Sequence, residues 1–352
     1  MLRNVKIIGA GSIGNHLANA CRSCGMLVDL VDNDPIALQR TKEEIYPERY
    51  GVWDHEINLY LSSEQPRSGH DIIFVGTPPD THLKVALEAV TESPKLIVIE
   101  KPLCDLNFKE LEPLIRAANT NNIRLMVGYD HAVSESFQYF EEIVRQSQKI
   151  NTLDVEFREH WGGIFAAHPW LDGPKDSYLG FYQRGGGALA EHSHGLHLYV
   201  YLCSVLNLGE ITDITANIGY EINDDVQFDR ISLLNIKTEK GVIGRCVQDV
   251  VTTNVNKMVN VTTEEGNYIL KFTKERDSVS YPSGQAVNFE KTRPDDFIAE
   301  VRHIQNVFAE DLPSPLDIKH GIKVMRIIEA AHRSAVENCT IKLKLDHMGD
   351  AQ

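Results

Sequence analysis

The feature that most restricts what this chain can fold into is Gly9-Ala-Gly-Ser-Ile-Gly14. It directly follows the apolar run Val5–Ile8 and opens an amphipathic stretch from Ile13 to about Cys24, so it reads as strand, glycine turn and helix. Gly9 permits the tight turn, Gly11 lets backbone approach a pyrophosphate, and Gly14 allows close contact between helix and strand. The helix N-terminus then faces the anion. A second strand, Leu27–Val31, ends at Asp32, 23 residues after Gly9. A carboxylate there can accept bonds from the adenosine ribose hydroxyls and repels a 2′-phosphate, so NAD is expected as cofactor in preference to NADP. Gly9, Gly11, Ser12, Ile13, Gly14 and Asp32 are the cofactor-binding candidates of this segment. The turn alone also fits an α/β protein that binds another nucleotide or none, and hydride chemistry needs further motifs.

The apolar runs Ile72–Gly76, Leu96–Glu100 and Ile123–Val127 continue the series, with room for helices between them. Val, Ile and Leu run almost uninterrupted in these segments, as in strands whose sheet is covered by helices on both faces. The expected fold is α/β, a doubly wound parallel sheet over residues 1–128. The whole chain has 352 residues, more than one ordinary domain of about 100–200 holds, so a second domain is expected over 129–352. Past about residue 150 longer alternating segments appear, such as Ile231 to Ile243 with a hairpin turn at Glu239-Lys240-Gly241. They predict an α+β domain with a largely antiparallel open sheet. Apolar alternation on both faces of that sheet would call for a partner, so a homo-oligomer is expected.

The charge balance excludes some functions. Lys and Arg number 35 against 50 Asp and Glu, a formal charge of −15, and such a surface repels nucleic-acid phosphates. The apolar runs fall far short of the roughly 20 residues needed to cross a bilayer, so neither nucleic acid nor membrane is an expected partner. The charged start Met1–Ile8 carries no apolar leader pattern, and six cysteines are too sparse for a disulfide framework, so a cytoplasmic location is expected. Cys21 and Cys24 fall inside the first helix and read as packing residues.

Val75-Gly-Thr-Pro-Pro-Asp-Thr-His82, Ile99-Glu-Lys-Pro102 and the later Gly185-Gly-Gly-Ala-Leu-Ala-Glu-His-Ser-His194 follow the glycine turn in order. In these motifs the sequence resembles the Gfo/Idh/MocA family of sugar and cyclitol dehydrogenases, over nearly the whole chain. The resemblance implies a Rossmann domain and makes Lys101, in the Glu-Lys-Pro element, a catalytic residue beside the nicotinamide and the substrate hydroxyl. It also implies that Thr77, His82 and Glu100 belong to the cofactor pocket. From the residues alone, a lysine at the carboxyl end of a parallel strand points into the crevice where such folds bind ligands. Thr77 and His82 can equally cap the helix that starts near Asp80.

The second catalytic group is expected between Gly187 and His197, where Glu191, His192, His194 and His197 cluster. Family members commonly carry an Asp and a His four apart here, and this chain departs from that. Glu191 and His194 are three apart, which on one helix still puts both on one face. His194 is the expected acid–base group and Glu191 its orienting partner, with His197 the next candidate. A metal held by Glu191, His194 and His197 is the rival, disfavoured because three ligands from one stripe make poor tetrahedral geometry, so no metal is expected. His168, Trp170, Tyr178 and Arg184 are candidate contacts for a hydroxyl-rich substrate, and His168-Pro-Trp170 resembles one branch of the family. Asp130-His131 stands where family members often have Asn-Arg. The reading is an NAD-dependent dehydrogenase of a sugar, cyclitol or nucleotide-linked sugar. An NAD-holding glycosidase and a dinucleotide sensor are the alternatives.

Overall fold

The computed structural model describes residues 2–343 except 148, 167 and 169. It divides into two compact units: one runs to Asp130 and includes Pro294–Ile318, the other holds His131–Arg293 and continues from Lys319. In the first, β1 (Asn4–Ile8), α1 (Ser12–Ser23), β2 (Leu27–Asp32), α2 (Pro35–Arg40), α3 (Tyr46–Tyr50) and β3 (Ile57–Leu61) are followed by β4 (Ile72–Val75), α4 (Pro79–Val90), β5 (Leu96–Glu100), α5 (Leu111–Thr120) and β6 (Arg124–Gly128). The strands form one parallel sheet in the order β3-β2-β1-β4-β5-β6. Ile72–Val75 and Leu96–Ile99 are all fully buried, so each strand is covered on both faces, and each such side chain stabilises the fold by about 1.5–3 kcal/mol. The order reverses between β1 and β4, where doubly wound sheets bind their ligands.

The segment Pro294–Ile318 completes this unit although it lies far along the chain. Its helix, Arg293–Glu310, buries Phe297, Val301, Ile304 and Val307, and Phe297 stacks on His16 of α1 at 4.6 Å. Beyond the helix, Leu316 O accepts from Val127 N of the edge strand β6 at 2.8 Å, and Arg124 grips Asp317 at 2.8 Å. This cover of the sheet edge was outside the expected 1–128 boundary, because the contact is non-local and leaves no periodic trace.

The second unit begins with α6 (Glu135–Arg145), β7 (Ile150–Arg158), α7 (Gly162–Ala166), α8 (Gly187–Glu191) and α9 (Ser193–Val205). β8 (Ile211–Ile222), β9 (Gln227–Thr238), β10 (Ile243–Asp249), β11 (Asn256–Thr263), β12 (Asn267–Phe272), β13 (Arg276–Ser280) and β14 (Ala286–Glu290) follow, with β15 (Ile341–Lys342) after the helix Ile318–Glu337. The nine strands form one sheet, antiparallel except where β7 meets β10. The expected hairpin joins β9 to β10, with Gly241 at φ 81°. Leu153, Val155, Phe157, Val259 and Leu270 line the buried face. The opposite face is mixed, with the exposed apolar Leu233 and Ile243 set among charged residues. It carries a ladder of charge in which Arg158 meets Asp249 at 2.6 Å and Arg245 meets Asp154 at 3.4 Å. Among the described residues no helix is long and apolar enough to cross a membrane.

Candidate active site

Each glycine of the first turn has a distinct physical reason. Gly9 sits at φ 113°, and a Cβ there would lie 2.5 Å from Gly76 O, so the ends of β1 and β4 meet only through glycine. A Cβ at Gly14 would lie 1.9 Å from Gly9 O, whereas one at Gly11 meets nothing within 4 Å. Gly11 thus faces the open side of the turn at the N-terminus of α1, a cradle that fits a dinucleotide pyrophosphate. Ser12 is buried and Ile13 half-buried beside it. Asp32 ends β2 and ties the turn down, accepting from Ala10 N at 2.7 Å and from Asp34 N at 2.9 Å. Each carboxylate oxygen can take more than one bond, so these contacts leave capacity for ribose hydroxyls.

Lys101 follows β5 at the same carboxyl edge of the sheet, half-buried, with its N–H 3.3 Å from Glu100 Oε2 and a cis bond to Pro102. His82 holds this region in place from α4. It is almost fully buried, with Nδ1 3.0 Å from Pro102 O and Nε2 2.5 Å from Thr77 O, so it bridges the loops after β4 and β5. Burial lowers its pKa to about 4, outweighing the backbone hydrogen bonds of Thr77, Pro102 and Leu103 and the charge of Asp80, which favour the cation. His82 is therefore placed as an internal strut, while Thr77 remains half-buried at the loop with its hydroxyl bonded to Thr81. Glu100 is also interior. Its carboxylate fills the space beside Gly128, where a Cβ would lie 2.8 Å from Oε1. Glu300, buried in the same unit, has its carboxyl raised well above the usual range by burial and by Glu100 and Asp130.

In the second unit the glycine-rich turn is packed solid. Gly185 and Gly187 have φ of 86° and 81°, a Cβ at Gly186 would lie 2.2 Å from Tyr178 O, and one at Gly187 1.9 Å from Asp229 Oδ1. Asp229 is fully buried and accepts from Leu189 N at 2.7 Å, capping α8 from β9. The single helix expected through Glu191, His194 and His197 is not present. α8 stops at Glu191, His192 takes a non-helical conformation, and α9 restarts at Ser193. The break has a cause on β10: the buried Gln248 amide donates to His192 O, alongside Gly195 N at 2.9 Å. Glu191 and His194 therefore sit on different helices, and the shared helical face that made Glu191 the orienting group is lost. His194 is half-buried, with the ring of His131 4.5 Å away. His197 is fully buried between Tyr201 and His320, and the donor atoms of Glu191, His194 and His197 form no cluster.

Residues 3–129 match the family model described as an oxidoreductase family with an NAD-binding Rossmann fold, GFO_IDH_MocA. The match spans 127 of the 352 residues and lies within the first unit. The whole fold agrees with solved structures that are distant in sequence. The aldose-aldose oxidoreductase of Caulobacter crescentus, solved with glycerol, superposes at a TM-score of 0.76 and 19% identity, covering 97% of this chain and 100% of that one. The WlbA dehydrogenase of Bordetella pertussis, solved with NADH and UDP-GlcNAcA, gives 0.72 and 18%, with coverage of 98% and 100%. An NAD-binding oxidoreductase of Klebsiella pneumoniae gives 0.76 and 15%, with coverage of 98% and 100%. No curated protein matches by sequence.

The four substrate candidates fall in different settings. His168 is half-buried, its Nδ1 2.7 Å from Ile164 O and its ring edge-on to Trp170, while Pro169 lies outside the described residues. Tyr178 packs partly on the apolar cluster of Trp161, Leu179, Ala188, Val226, Phe228 and Val250. Arg184 is exposed over the ring of Phe181. Sequence reading missed the groups around the histidines. Lys257 bonds Glu159 at 2.6 Å, and that ion pair, together with His192 and Arg293, holds Glu159 below the usual carboxylate range against the effect of burial. Phe157 and Phe272 flank His131. Lys257 lies in β11 and Glu159 just past the end of β7, and nothing local marks them as partners.

Proposed function

We propose that the chain is an NAD-dependent dehydrogenase acting on a secondary alcohol of a sugar, cyclitol or nucleotide-linked sugar. The observation that carries this reading is the glycine turn with its open position at Gly11 and its Asp32 anchor, on the same sheet edge as Lys101, in a unit that matches an NAD-binding oxidoreductase family. NAD when bound accepts or donates hydride at its nicotinamide. Lys101 holds the substrate hydroxyl and moves its proton, and His82 fixes the loops on either side of it. His194, with His131 beside it, serves as the second acid–base group, and Glu191 contributes from the end of α8. His168, Trp170, Tyr178 and Arg184 contact the substrate. The acid Asp32 favours NAD over NADP. The enzyme works in the cytoplasm as a homo-oligomer, and light scattering that gives a 39.6 kDa particle at micromolar concentration would refute the oligomer.

The deciding experiment incubates the protein with NAD and a panel of free and nucleotide-linked sugars while nicotinamide absorbance is followed. Reduction with at least one substrate is expected. Replacing Lys101 with Ala should then lower turnover by several orders of magnitude, because positioning and proton transfer go together. His194→Ala should cost ~10²–10⁴-fold. Full turnover in Lys101→Ala would sink the reading.

A further inference from the structure

We propose that Arg49 is a coenzyme-phosphate ligand, its guanidinium supplying the fixed positive charge for the pyrophosphate at the start of α1. The inference rests on the reading of the chain as an NAD-binding enzyme.

Arg49 Nη1 donates to Ser12 O at 2.9 Å and Nη2 to Ser12 Oγ at 2.8 Å, so the fork is seated on the residue next to Gly11. Gly11 is the position where the turn opens. The N-terminus of α1 carries about half a unit charge of its own, and none of its first-turn residues is acidic. A pyrophosphate brings two negative charges to a protein whose formal charge is −15, beside a segment that holds Glu43, Glu44 and Glu48. A local cation is what this site needs for an anion, and a planar guanidinium fits phosphate oxygens better than any other side chain.

The chain segment that delivers Arg49 is pinned to the glycine turn at several points. Thr41, fully buried, donates to Ala10 O at 2.7 Å. Asn15, also fully buried, donates to Gly11 O at 2.9 Å and to Thr41 Oγ1 at 3.2 Å. Next to Arg49, Tyr50 bonds His16 of α1 at 2.6 Å, and Tyr46 packs on both Tyr50 and Trp53. Arg49 therefore sits on a rigid support, which limits the entropy lost when its charge is used. Its signal in the sequence was nil, since it lies 35 residues past Gly14 in a stretch with no motif.

The test is direct titration of the full chain with NAD, NADP and adenosine, for wild type, Arg49→Ala, Arg49→Lys and Arg49→Gln. Arg49→Ala should weaken NAD about ten- to a hundredfold and leave adenosine, which has no phosphate, within about twofold. Arg49→Lys should recover part of the loss, and the salt dependence of NAD binding should flatten in Arg49→Ala. Arg49→Gln keeps amide donors for Ser12 without the charge, so it should fold like wild type and still lose NAD affinity. Unchanged NAD affinity in Arg49→Gln overturns the proposal. So does an equal loss of NAD and adenosine, which would make Arg49 a structural pin, and so does a loss confined to NADP, which would place the charge at a 2′-phosphate. Wild type that binds neither dinucleotide would instead overturn the reading of the cofactor itself.

Discussion

Two glycine-rich turns open helices in this molecule, and they solve opposite problems. At Gly9–Gly14 two glycines admit close backbone contact, while the third, Gly11, faces open space at the start of α1. At Gly186 and Gly187 the protein fills that space, with Tyr178 and Leu179 carbonyls against Gly186 and the Asp229 carboxyl against Gly187. The first helix leaves its N-terminus open at Gly11. The second spends its N-terminus on an internal acid, Asp229, which bonds Leu189 N. A glycine motif therefore marks close approach, and only the partner of that approach tells a binding turn from a packing turn.

The largest effects should come from filling one glycine of each turn. Gly11 has φ −77°, which any residue adopts, so Gly11→Val should fold with a melting temperature within a few degrees of wild type yet bind NAD at least about a hundredfold more weakly. Gly187→Ala should do the reverse. Its Cβ collides with Asp229 at a positive φ, and overpacking with backbone strain costs about 2–4 kcal/mol, or roughly 5–15 °C in melting temperature. Scanning calorimetry and NAD titration on both variants separate the outcomes. A stable Gly187→Ala, or a Gly11→Val that binds NAD normally, would erase the distinction between the turns.

Asp229 offers a finer probe of the packed turn. Burial pushes its carboxyl up to about 7, while an unfolded aspartate titrates near 3.8. Between those values the folded chain holds a proton that the unfolded chain lacks, so this group's contribution to stability is full below about pH 4 and is lost as pH rises to 7. His332, whose Nε2 lies 3.9 Å from Asp229, has the opposite sign. Burial lowers its pKa to about 4, so unfolding takes up a proton between pH 4 and 6.5, and stability rises with pH there. Tyr220, bonded to His332 at 2.8 Å, and Ser232, bonded to Asp229 at 3.1 Å, stay neutral throughout and add no slope. The two opposing slopes offset each other in the wild type. Asp229→Asn removes one of them, so urea midpoints measured from pH 4.5 to 7.5 should rise with pH more steeply than in wild type, by about 1 kcal/mol or more over the range. Parallel profiles would mean that Asp229 is ionised in the folded chain.

What was legible in the sequence was local. The strands of the first sheet announced themselves as unbroken apolar runs, and Gly9, Gly14 and Asp32 as a fixed spacing along one strand–turn–helix unit. What escaped was set by partners distant in sequence. The break at His192 depends on the Gln248 amide, 56 residues on, and no periodicity in Gly187–His197 could report it. His131 became a neighbour of His194 only when the chain brought them together, and Pro294–Ile318 joined the first unit through β6, far from its own sequence context. Buried acids such as Asp229 and Glu300 look like surface residues in a sequence because their burial is a property of the fold.

The smallest expected effect concerns Asp32, which separates the open turn into an anchoring part and a selecting part. Its carboxylate both anchors Ala10 N and Asp34 N and presents a negative charge at the end of β2. Loss of the anchor weakens any dinucleotide, whereas loss of the charge helps only the one with a 2′-phosphate. Asp32→Ala should therefore lower NAD affinity while narrowing the preference for NAD over NADP by roughly tenfold, the size expected for one half-exposed charge pair at a few ångströms. Calorimetric titration with both cofactors reads the two parts separately, since the anchor cancels in the ratio. If the variant weakened both equally, the carboxylate would serve the turn alone. Selection would then pass to a cation near the ribose, with Arg40, at the end of α2, the first to replace.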